Sequence, residues 1–209
     1  MAQPFDKTLP LRKLPAMCNK HLIDGFTLLE LMMVIAIVAT LITLGAPSFK
    51  RLIQSSKVSS NVNSFLSDIR QTRSEAINRG GNVVMCRSDD PEAANPVCSS
   101  GFGSHGWASG WIIFQDLNND GQKSSAEPLL RIQSPITSLD SIMESKIIPS
   151  NRFRFTATGR LLNMDSATTL KFGGDPRFPL DIQRTVCVSV GGRARITGDG
   201  NTSCGSSNE

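Results

Sequence analysis

Tyrosine is absent, and only two tryptophans and two histidines occur among the 209 residues. One histidine, His21, precedes the long apolar run, which leaves His105 alone in a Gly/Ser-rich stretch. No Cys-x-x-Cys pair occurs, so a zinc or other thiolate–imidazole centre lacks its ligands. A nucleophile elbow and a phosphate loop are missing as well, and an enzymatic reading has no site to rest on. His105 therefore reads as a surface histidine, and Trp107 and Trp111 as core or hairpin packing rather than a ligand cage. A secretory signal peptide, with its apolar region followed by a small-residue cleavage site, is also missing, because here the order is reversed. What the chain does have is 39% hydrophobic residues, enough to build a core in one ordinary domain with appendages.

Those apolar residues are unevenly spread. Residues 26–46 contain one ionisable side chain, Glu30, and are long enough to cross a hydrocarbon core of ~30 Å. Arg12, Lys13, Lys20 and His21 lie upstream of the run. The positive-inside bias then keeps the N-terminus cytoplasmic and exports the rest. Cysteine usage fits that placement: Cys18 lies in the leader, while Cys86, Cys98, Cys187 and Cys204 form an even set in the exported part. Two disulfides are expected in an oxidising compartment. Four cysteines allow three connectivities, of which the short loops Cys86–Cys98 and Cys187–Cys204 are the simplest, each contributing ~3 kcal/mol by loop entropy.

The basic leader ends at Gly25, followed by Phe26-Thr27-Leu28-Leu29-Glu30-Leu31 and the apolar run. Cutting after Gly25 would remove the leader and keep the anchor. Gly25-Phe26-Thr27-Leu28-Leu29-Glu30 resembles the class III signal of type IV pilins and secretion pseudopilins. The resemblance implies cleavage between Gly25 and Phe26 by prepilin peptidase, N-methylation of Phe26, and a subunit held in the inner membrane until assembly. It also implies a bend or melt at Pro47. Initiation at Met17 would shorten the leader to residues 17–25, and both starts, Met1 and Met17, stay open. An ionisable residue in a membrane helix is costly and marks a function with a partner to be found. The amine of a cleaved Phe26 on a neighbouring subunit is that partner for Glu30, and the pair would set axial register in a low-dielectric filament core.

Past Pro47, residues Val58, Val62, Phe65, Leu66, Ile69, Ala76 and Ile77 recur at three- and four-residue spacing, the stripe of an amphipathic helix. Lys57, Asp68, Arg70 and Arg73 fall on its polar face, and Asn78-Arg79-Gly80-Gly81 supplies a stop. Beyond it, short apolar runs bounded by turn residues predict strands at 82–87, 110–115, 128–133, 152–157, 168–172, 184–190 and 193–197. Residues 88–104 read as a long loop pinched by a Cys86–Cys98 bridge. The expected fold class is α+β. Residues 1–25 form a leader, 26–79 a long helix with 26–46 transmembrane, and 80–209 a periplasmic head of antiparallel sheet. Trp111-Ile112-Ile113-Phe114-Gln115-Asp116-Leu117-Asn118-Asn119-Asp120-Gly121, Phe155-Thr156-Ala157-Thr158-Gly159-Arg160 and a closing Val186-Cys187-Val188 hairpin resemble the GspH/FimT family. That resemblance implies a minor pilin or type II secretion pseudopilin at or near a filament tip, with other pilins or pseudopilins as partners.

Two constellations in the head carry chemistry. Asp116-x-Asn118-x-Asp120-Gly121 followed by Glu127 fits the spacing of a calcium loop, whose oxygen ligands suit a hard cation. Against calcium, the flanks read as strands, Lys123 takes the usual apolar position and Pro128 follows Glu127, which is the composition of a strand-to-strand turn. No other cofactor is expected. The C-terminal part is locally positive, with nine Lys plus Arg against five Asp plus Glu from Lys146 onward. Within it, Gly191-Gly192-Arg193-Ala194-Arg195 puts two guanidinium groups on one side of an extended segment beside a flexible glycine turn. Such a pair can grip successive phosphates. Gly192-Arg193-Ala194-Arg195 also resembles the Gly-Arg-x-Arg motif of FimT-like minor pilins implicated in DNA binding during transformation. The alternative is a hairpin with solvated arginines. No aromatic side chains interleave the basic ones, so a DNA contact would be independent of sequence.

Overall fold

A computed structural model describes residues 25–145, 150–162 and 164–205. Residues 1–24 of the leader, with Met17 and Cys18, lie outside the described residues. The backbone divides into two compact units, Met1–Leu44 and Gly45–Glu209, although one helix, α1 (Leu28–Arg79), enters both. Pro47 sits inside α1 and does not end it. Within α1 an 18-residue window reaches mean hydropathy 2.4 with none of it buried, the profile of a segment that meets its apolar surroundings outside the chain.

In the second unit, α1 ends where the glycines stop it. Gly80 adopts φ +79°, and the Gly81 N–H donates to the Ala76 carbonyl at 2.7 Å. That bond satisfies one of the carbonyls a helix end leaves orphaned. The chain then forms eight strands: β1 (Val83–Arg87), β2 (Trp111–Gln115), β3 (Leu129–Gln133), β4 (Ser141–Glu144), β5 (Arg152–Phe155), β6 (Thr168–Gly173), β7 (Arg184–Val188) and β8 (Ala194–Gly198). They make two antiparallel four-stranded sheets, ordered β3-β2-β1-β5 and β4-β6-β7-β8. The observed class is α+β. Seven strands fall within a residue or two of the expected positions apart from the trimmed ends of β5 and β7. β4 was not expected, because Ser141-Ile-Met-Glu carries a carboxylate. Glu144 is buried there, and it accepts the backbone N–H groups of Ser150 and Asn151 at 2.9 and 3.3 Å.

The stripe Val58, Val62, Phe65, Ile69 and Ala76 is fully buried and shares one core with both sheets. Phe65 is its hub, edge-on to Trp107, Trp111 and Phe172 at centroid distances of 5.7, 5.3 and 5.4 Å. Alternation along β1 sends Val83 and Met85 into this core, and Val84 and Cys86 into a second cluster with Ile112 and Phe114. The Cys86–Cys98 bridge closes that second face by pulling the long loop over it. Arg87, fully buried, holds the same loop by donating to the Ser100 carbonyl at 2.9 Å and pairing with Asp89.

One polar-face assignment is corrected by packing. Asp68 is buried, not solvated: it accepts the Trp111 indole N–H at 2.9 Å, and the Arg131 Nε lies 2.8 Å from its other oxygen as an ion pair without hydrogen-bond alignment. The carboxylate thus ties the helix to β2 and β3 through groups that are far apart in sequence.

Candidate functional site

The expected N-terminal site residues lie at the open end of α1. Gly25 and Phe26 precede the first helical residue, and Phe26 is 82% exposed. The Thr27 hydroxyl accepts the Glu30 backbone N–H at 3.2 Å, which is how a threonine caps a helix start. Among the described residues the Glu30 carboxylate makes no hydrogen bond or ion pair.

The calcium-loop spacing is used for a different purpose. Glu127 accepts the backbone N–H groups of Leu117 and Ser124 at 2.9 and 2.8 Å. Burial opposes its ionisation, but these hydrogen bonds outweigh burial and hold the carboxyl below its ordinary range. Asp120 is also held below its ordinary range, first by the Gln122 backbone N–H and then by the Asn118 amide. Asp116 accepts the Gly121 N–H at 2.9 Å. Two guanidinium groups from β5 complete the loop: Arg154 reaches the Asn119 carbonyl at 2.8 Å and Asp116 at 3.4 Å, and Arg152 reaches the Gly121 carbonyl at 2.9 Å. The positive charge that a cation would bring is supplied by arginine, and the carboxylates are turned toward their own backbone. Among the described residues no group of three or more His, Cys, Asp or Glu could hold a metal. Asp116, Asn118, Asp120 and Glu127 form a turn whose carboxylates take backbone N–H groups and an arginine.

Arg193 and Arg195 line a groove of about 670 Å³, and two further arginines join them, Arg73 and Arg160. Three elements bring the four together. Arg73 rises from α1, Arg160 from the turn after β5, and Arg193 and Arg195 from the turn into β8. Both turns close on an i to i+3 bond, Gly159 N–H to the Thr156 carbonyl and Gly192 N–H to the Ser189 carbonyl, each at 2.9 Å. Gly159 and Gly192 have φ of +74° and +73°, a conformation available without strain to glycine. They also pack on one another, since a Cβ at Gly192 would lie 2.1 Å from the Gly159 carbonyl oxygen, and one at Gly159 would lie 2.6 Å from Arg73 Nε. Gly192 thus wedges this turn against the one at Gly159.

Arg73 Nε is buried without a hydrogen-bond partner among the described residues. An unpartnered buried donor is costly unless something approaches it. The opposite wall is the C-terminal tail, which the Cys187–Cys204 bridge brings beside β7 with the Cα atoms 5.7 Å apart, placing Gly205 on the groove. Arg195 sits opposite Cys187 in the β7–β8 register. Arg73 and Arg160 were not legible as site residues: one belongs to the polar stripe of a helix and the other to a turn, and only the fold puts them on one surface. Their common arginine identity, more suited than lysine to forked phosphate contacts, is the signal available.

Among curated proteins, no sequence matches the chain. Two crystal structures of the Pseudomonas aeruginosa PAO1 type IV minor pilin FimU are similar to it. One is 18% identical, covering 68% of this chain and 89% of that one with a TM-score of 0.49, and the other is 19% identical, covering 66% and 91% with a TM-score of 0.46. The family described as "Type II transport protein GspH" matches residues 61–192, which run from within the buried stripe of α1 through β1 to β7 and the wedged turn up to Gly192. The chain accordingly belongs to the GspH family.

Proposed function

We propose that this chain is a minor pilin or pseudopilin that primes or caps a type IV pilus or type II secretion filament, as a structural subunit and not an enzyme. The observation that carries the reading is the exposed apolar stretch of α1, with Glu30 alone in it, joined in sequence to a head with its own closed core. On this reading prepilin peptidase cuts after Gly25 and methylates Phe26. The subunit waits in the inner membrane with a periplasmic head, and Glu30 takes the N-terminal amine of a neighbour during assembly. In cells lacking the wild-type protein, Glu30→Ala should be processed to mature size yet be missing from sheared filaments. Normal incorporation of the variant would overturn the role given to Glu30.

A second reading is supported by the convergence of four arginines: the groove is a DNA contact at a pilus tip, serving natural transformation. Phosphate binding releases counterions, so affinity falls with salt with a slope of about 0.9 per phosphate neutralised. Duplexes of unrelated sequence should bind the detergent-solubilised chain similarly, and Arg193→Gln with Arg195→Gln should lower the salt slope by about 2. An unchanged slope, in titrations at several ionic strengths, would leave the arginines as a solvated hairpin.

A further inference from the structure

Lys50, Lys57 and Arg177 rim a second groove, of about 320 Å³, whose floor includes Ala46, Phe49 and Ile53. Its wall is held by the Gln54 side chain, which donates to the Arg177 carbonyl at 2.8 Å and fixes the turn before β7 against α1. With Arg51, which follows Lys50 on α1, the rim counts four cations close by. Two of them are already matched: Arg51 pairs with Asp181 at 2.8 Å and Arg177 with Asp140 at 3.1 Å. Among the described residues, neither Lys50 nor Lys57 makes an ion pair, and Lys57 is half-buried. Phe49 and Leu52 stay 63% and 65% exposed, so an apolar floor and an unmatched positive rim face outward together.

Position decides what this combination fits. Helix rise is ~1.5 Å per residue, so Lys50 lies ~6 Å beyond Ala46, where the apolar run ends. The headgroup layer of a bilayer is of about that depth, some 5–8 Å on each side. Lys57 lies ~16 Å beyond Ala46, but helical side chains lean toward the N-terminus and a lysine stem stretches over apolar surface to place its ammonium. Its contribution to the same groove agrees with that direction. We propose that this groove seats the phosphodiester headgroup of an anionic phospholipid, with Lys50 and Lys57 on the phosphate and Phe49 and Ile53 against the upper acyl chain. The site rests on the membrane anchoring proposed above, and it gives the stored subunit a fixed depth and rotation at the bilayer surface. Anionic surfaces attract basic side chains beside a membrane helix strongly enough that two lysines amount to about a 30-fold preference.

The test uses the full chain in nanodiscs of phosphatidylcholine with or without phosphatidylglycerol, released into detergent and weighed by native mass spectrometry. The wild type should retain phosphatidylglycerol over phosphatidylcholine by about 30-fold. Lys50→Gln with Lys57→Gln should lose the preference while entering the discs as before, and the paired Lys→Arg variant should keep it. Equal retention of both lipids, or an unchanged preference in the Gln variant, overturns the site and leaves the anchoring intact. A chain dimer in place of the lipid adduct, dissolved by the same substitutions, overturns it in favour of a second copy. Failure of the wild type to enter the discs overturns the anchoring itself, and the lipid site with it.

Discussion

The two halves of α1 share one backbone geometry and meet opposite surroundings. Leu31, Ile35 and Val38 stand exposed along the first half, while Val58, Val62, Phe65 and Ile69 repeat the same three- and four-residue spacing in the second half and are fully buried. The difference lies in what covers them. The second half presents one stripe, and two sheets of the same chain close over it; the first half is apolar all round, which no single face of a head could cover. The carboxylates follow the same division. Asp68 finds Trp111 and Arg131 within the chain, whereas Glu30 finds no partner among the described residues.

The largest expected effect tests this division directly. Phe65→Ala should destabilise the head by about 3–5 kcal/mol, since it empties the junction of both sheets. Ile35→Ala on the first half should change it by under about 0.5 kcal/mol. Denaturant midpoints of the full chain in detergent separate the two, and a comparable loss from Ile35→Ala would break the comparison. Asp68→Ala comes next, at about 2 kcal/mol, because it leaves the Trp111 indole N–H buried and unpaired. Glu30→Ala, by contrast, should leave the midpoint of the head unmoved while removing the chain from filaments.

The smallest effect concerns a carboxylate satisfied within its own turn. Glu127→Gln should cost about 1 kcal/mol at neutral pH. The folded state holds this carboxyl below its ordinary value, which is ~4.3 in an unfolded chain. Its stabilisation is therefore complete above that value and lost as pH falls through the lower, folded one. Midpoints measured from pH 7 downward should bring wild type and variant together in acid. A gap that stays constant would show that the Leu117 and Ser124 contacts owe nothing to charge.

How much of this was legible follows from how local each signal is. The apolar run, the helix stripe and seven strands rest on neighbours within a few residues, and they were readable at once. The short disulfide loops, Cys86–Cys98 and Cys187–Cys204, were the simplest of three pairings, and both bridges form. β4 escaped because Glu144 interrupts its alternation and is satisfied by two N–H groups six and seven residues away. The Asp-x-Asn-x-Asp-Gly spacing was compatible with both a cation loop and a turn. Arg152 and Arg154, arriving from a different strand, hold it as a turn.

By itself, then, the sequence determined the membrane-length helix, the α+β class and the arginine pair at 193 and 195, because helical and strand periodicity and motif spacing are properties of consecutive residues. Only the tertiary structure decided that Asp68 is buried, that Gly159 and Gly192 wedge their turns together, and that Arg73 and Arg160 share a groove with Arg193 and Arg195. Those facts depend on which surfaces meet once two sheets close over one stripe of a helix, and residues more than a hundred positions apart, such as Arg73 and Arg195, carry no local sign of that meeting.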